Sequence, residues 1–165
     1  MCEEEKYSAI MLIMSFLNNI GLSIEYTLLD EKTFCSGISL KEGRLYIDRG
    51  KLFSPGELLY QAGKIAVSPS VDRAKLNGHI LHEPCDDMMV IAWCWAALKH
   101  LNLTSDVIFA TSRYGDSSCE IIEKFSTGRS IGVPLLQWAG MTNEPTRNLN
   151  DNMVVFPAMI KWLRD

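Results

Sequence analysis

The sequence predicts an α+β fold, mostly helical, with one small antiparallel sheet near the N-terminal half. Three observations predict it. Strand-like pieces come early and helical ones come late, the later segments carry the capping and stop residues of helices, and one of them is apolar throughout. At 165 residues with 47% hydrophobic content, the chain has one domain's length and enough apolar material for a core, so residues 1–165 are read as a single domain.

Taken in order, a first amphipathic helix spans residues 4–20 and stops at Gly21, a natural left-handed C-cap position. Strand-like pieces follow at 22–29, 37–40 and 44–48, the last two joined as a hairpin through Lys41, Glu42 and Gly43. Ser54, Pro55, Gly56 and Glu57 make an S-x-x-E capping box with proline at the first helical position. The helix they open runs to Val67 and is stopped by Ser68 and Pro69, because the residue before a proline is pushed out of the helical region. A loop is expected over 68–84.

The next helix, 86–101, centres on an unbroken apolar run of eleven residues, 88–98, and is read as buried on all sides. Asp86 and Asp87 at its start and Lys99 and His100 at its end complement the helix dipole. A turn at 104–109 follows. Ser117 with Glu120 forms a second capping box, opening a helix that ends at Gly128. Pro134 begins a short helix, 142–153 is a polar loop, and Pro157 starts a terminal helix with Met159, Ile160, Trp162 and Leu163. Trp93, Trp95, Trp138 and Trp162 lie in apolar surroundings and are assigned to the core.

Composition narrows the function classes. A net charge of −4, without a lysine or arginine cluster, argues against a nucleic-acid footprint. The acidic start, Glu3 to Glu5, is unlike a secretory signal, and neither 9–17 nor 88–98 reaches the ~20 apolar residues a membrane span needs. Five cysteines, at 2, 35, 85, 94 and 119, make an odd number without C-x-x-C spacing, so they read as reduced thiols of a cytoplasmic protein.

The helix 55–67 carries the most telling pattern. Positions 60 and 64 stand on one face, one turn apart, which is how an H-E-x-x-H helix presents two imidazoles to zinc with a glutamate beside the first as general base. This chain has Tyr60, Gln61 and Lys64 there. A lysine ammonium has no lone pair for a metal, a glutamine amide cannot act as a base, and a tyrosine ligates only as a phenolate, with an unperturbed pKa of ~10.

The run 57–69, then Ile91, Ala92 and Trp93, and above all Gly128, Arg129, Ser130, Ile131, Gly132, Val133, Pro134, Leu135, Leu136, Gln137, Trp138, Ala139, Gly140 and Met141, resemble small bacterial proteins related to the ImmA/IrrE-type (IrrE N-terminal-like) metallopeptidases. The resemblance covers 45–141 and the tail 156–163. It implies a compact zincin-like domain, and it puts Tyr60 and Lys64 on the two zinc histidines, Gln61 on the catalytic glutamate, and Asp87, with Asp86 adjacent, on the third ligand. The three α-helical departures imply a degenerate motif, with no catalytic residue, metal or cofactor inherited. They also suggest electrostatic substitution, the Lys64 ammonium standing in for the metal's charge opposite Asp87 or Asp86.

Two other constellations remain open. His79, His82 and Cys85 are acceptable zinc ligands spaced H-x2-H-x2-C, a relocated metal site that would make the chain a hydrolase. Cys119 near a helix start reads as an ordinary half-buried residue. The functional expectation is an inactive metallopeptidase homologue that binds a protein or peptide in the former substrate cleft, without nucleic acid or membrane. The other alternative is a ligand-free protein that self-associates as a homo-oligomer.

Overall fold

The computed structural model describes residues 3–29, 37–51, 54–77, 84–109, 117–129, 131–145 and 152–165, with only the backbone described at 84–86, 108, 117 and 118. Helix α1, Glu3–Asn19, buries Ile10, Ile13, Met14, Phe16 and Leu17 along one stripe. It closes as expected at Gly21, whose φ is 90°, with Gly21 N–H donating to Asn18 O and Leu22 N–H to Leu17 O. These are the two bonds of a Schellman motif.

The sheet holds β1 (Ile24–Tyr26), β2 (Ile38–Lys41) and β3 (Arg44–Ile47) in the order β1-β3-β2. The expected hairpin is present, β2 antiparallel to β3 with Ile38 opposite Ile47. The sheet is mixed, however, rather than antiparallel, because β1 lies parallel to β3. Alternating side chains tell a strand which face to bury but not which way to run.

Helix α2, Pro55–Val67, has the boundaries its capping residues predict. Ser54 is extended, at φ −76° and ψ 136°, but its side chain makes no capping hydrogen bond. Within the expected loop a short helix α3, Ser70–Arg73, forms. Helix α4, Pro84–His100, follows, and 92–98 are all buried; Met88 is exposed, so the burial is not complete on every side. The expected turn is the short helix α5, Ser105–Phe109. Helices α6, Ser117–Ser126, and α7, Val133–Trp138, complete the described set. Among the described residues no helix is long and apolar enough to cross a membrane.

One apolar core runs through these elements, with α2 packed against α1, α4 and α5. Gly63 lets α2 approach α4 closely, since a Cβ there would lie 3.0 Å from Val90 Cγ1 and 3.2 Å from Trp93 Cε3. Gly132, at φ 72°, does the same for α7, where a Cβ would fall 2.1 Å from the Met88 carbonyl oxygen. Trp95 stacks on Phe125 with ring centroids 4.9 Å apart.

Two further expectations are corrected. Residues 152–165 form no helix. Their backbone groups bond outward instead: Phe156 N–H donates to Asn143 O, Ile160 N–H to Met141 O, and Arg164 N–H to Ala66 O. Trp162 supplies the anchor, its carbonyl accepting the Trp93 indole N–H at 2.9 Å while its ring meets Phe16 edge-on. Trp138 is the other correction, being 75% exposed. Its neighbours Val133 and Leu136 fill the buried side of the six-residue α7, and the indole lies outside beneath the Arg164 guanidinium, 4.9 Å from its ring centre.

Candidate functional site

The i,i+4 spacing on α2 brings Tyr60 and Lys64 together, the Lys64 Nζ lying 5.0 Å from the centre of the Tyr60 ring. Both are nearly enclosed, Tyr60 at 5% and Lys64 at 7% exposure, and Gln61 is buried beside them. Such polar groups fold inward on a helix only where partners satisfy them. From the first turns of α4, the half-buried Asp87 provides one: the Tyr60 hydroxyl donates to Asp87 Oδ1 at 2.5 Å.

Three of the positions singled out in the sequence, Tyr60, Lys64 and Asp87, therefore gather where α2 meets the start of α4. Among the described residues, the donor set there does not suit a divalent metal. A phenol, an ammonium and one carboxylate give a single ready anionic ligand, and the phenol proton is already committed to that carboxylate. Gln61 adds an amide, which neither releases nor takes up a proton in the ordinary range. What the centre can do is hold charge and hydrogen bonds: it presents an ammonium flanked by an aromatic face, with an acidic group across the helix pair.

The Asp86 side chain, His79, His82 and the Cys85 side chain lie outside the described residues, so the H-x2-H-x2-C pattern has no described geometry. Among the described residues no three His, Cys, Asp or Glu side chains group as metal ligands would. Cys119 is exposed rather than half-buried, and Cys94 is fully buried. Burial pushes the Cys94 thiol pKa up, with the Glu57 carboxylate adding to the effect, so this sulfur is an inert packing group.

Sequence reasoning missed the Tyr60 to Asp87 bond itself. A tyrosine at a buried helical position was the available signal, since a buried phenol needs an acceptor and the acidic start of α4 offers the nearest. Concavities formed by described residues lie elsewhere: one of about 670 Å³ between α1 and α5, one of about 250 Å³ beside Tyr7 and Met11, and one of about 340 Å³ beside His100 and Trp162. Comparison of the chain with protein-family models, curated proteins and solved structures finds no match.

Proposed function

We propose that this protein is a catalytically inactive relative of the ImmA/IrrE-type metallopeptidases, a zincin-like cytoplasmic module that works without a cofactor and binds a protein or peptide. The observation that carries the reading is the 2.5 Å bond between Tyr60 and Asp87, with Lys64 stacked against the same tyrosine. The three positions that the resemblance equates with zinc ligands are close in space, which supports the correspondence. Their side chains supply a fixed ammonium and a fixed hydrogen bond where the family would hold a metal. Gln61 cannot serve as the base that the family's glutamate provides and the Lys64 ammonium cannot ligate a metal, so we assign binding rather than hydrolysis to the centre.

Restoring the motif tests this. Combining Tyr60→His, Gln61→Glu and Lys64→His should create a site holding about one equivalent of zinc per chain, measured by elemental analysis of protein purified without chelator or metal resin. Adding Asp87→Ala should release it. The unaltered protein should carry less than about a tenth of an equivalent, because an ammonium repels a divalent cation. About one equivalent in the unaltered protein would sink the inactive reading, and a folded triple variant that takes up no zinc would sink the family correspondence. For the binding role, a protein or peptide that co-purifies with the unaltered chain should be lost from Lys64→Glu while the melting temperature shows the variant folded.

A further inference from the structure

Among the described residues, helix α1 has a second face on which Tyr7, Met11 and Leu12 are exposed. Glu4, Tyr7 and Met11 recur at spacings of three and four, so they form one stripe along it. Tyr7 is 66% exposed and Met11 44%, whereas a helix packed on one side normally turns polar groups outward. The stripe borders the groove of about 250 Å³ that Arg49 and Lys51 close from the end of the sheet. Arg49 also lies over the ring of Tyr26, 3.8 Å from its centre. An apolar patch of this kind on a surface helix marks a contact site.

The charges around the patch say what fits it. Acidic Glu3 and Glu4 stand at the N-terminal end of the stripe, and basic Arg49 and Lys51 line the groove with Tyr7, Ile10, Met11 and Met14. A two-fold interface requires a surface complementary to itself, so that whatever lies at one end meets whatever lies at the other. With a two-fold axis near the middle of the stripe, α1 pairs antiparallel with its copy. Tyr7 then faces Met11 of the second copy, and Glu4 faces the Arg49 and Lys51 end.

We propose that the protein forms a two-fold homodimer through this face of α1, with Tyr7 and Met11 at its centre and Glu4 paired with Arg49 across it. The interface is independent of the Tyr60, Lys64 and Asp87 centre on α2. Its occupant is a second copy rather than an unrelated partner because the same strip carries acidic Glu4 at its start and basic Arg49 beside Tyr7 to Met14, so two copies offer each other opposite charges.

Sedimentation equilibrium of the full chain, from micromolar to submillimolar concentration, tests this. A concentration-dependent dimer that weakens at high salt is expected. Glu4→Lys and Arg49→Glu should each raise the dissociation constant by about tenfold, because each places like charges opposite one another, and the two reversals together in one chain should restore most of the loss. Met11→Asp should abolish the dimer while the melting temperature shows a folded monomer. A monomer at every concentration would overturn the proposal, as would a dimer indifferent to Met11→Asp or reversals that fail to compensate.

Discussion

Helices α4 and α2 lie against each other in the core and end in opposite ways. At α4 the chain closes on itself: Asn102, at φ 53°, turns left-handed, and the Asn102 and Leu103 amides donate to the carbonyls of Lys99 and Leu98. Helices α1, α6 and α7 end by the same two bonds, each with a glycine at the turn. At α2 no such turn forms, for Ser68 is extended at φ −73° and ψ 141°. The carbonyls of its last turn are satisfied one by one, the first locally and the outer ones from a distance: Lys64 O by the Ser68 hydroxyl, Ile65 O by Arg73 Nε, Ala66 O by the Arg164 amide and Val67 O by Arg164 Nη1. The Arg73 guanidinium also reaches the Arg164 carbonyl, tying the two arginines together. A helix that carries a buried polar centre is thus fixed at its end by tertiary structure, while its neighbour is fixed by its own next three residues.

That contrast can be broken from either side. The largest effect is expected at Trp93, fully buried on α4 and bonded through its indole to Trp162; Trp93→Ala should cost about 3–5 kcal/mol in chemical denaturation and free the tail that reaches α2. Arg164→Ala should cost about 1–2 kcal/mol, the loss of one charged hydrogen bond and of the stacking on Trp138. Its sharper signature is local, because amide hydrogen exchange should accelerate in the last turn of α2 and leave the end of α4 unchanged. Smallest is Asn102→Ala, about 1 kcal/mol for forcing a Cβ-bearing residue without a local side-chain bond into the left-handed region, with Asn102→Gly close to neutral. Exchange should then rise at the α4 end alone. Equal responses at both helix ends to either variant would remove the distinction.

The same distinction explains what the sequence revealed. Gly21 and Gly128 were readable stops because a local turn needs them, and the two ends of α2 were readable because Pro55 and Pro69 act within a residue or two. Elements decided by distant contacts were not. The parallel pairing of β1 with β3 depends on partners 21 residues apart, Ile24 with Leu45, and nothing in either strand encodes its direction. The tail from Pro157 has helix-like apolar spacing, yet its amides find carbonyls on Met141 and Ala66, and that tertiary gain outweighed a weak local preference. At the candidate site, the shared face of Tyr60 and Lys64 follows from helix geometry, whereas Asp87 entered only through a family resemblance. Their hydrogen bond became visible once α4 was laid against α2.

The arginine closure of α2 has a temporal meaning as well. Arg164 and Val67 are 97 positions apart, so the last turn of α2 cannot be completed while the chain is emerging; it waits for the far end to arrive. Until then the carbonyls of Ala66 and Val67 have only water to bond to. The two outermost carbonyls of α2 are therefore completed by a residue far along the chain, whereas the bonds of Lys64 O to Ser68 and of Ile65 O to Arg73 need only the next few residues.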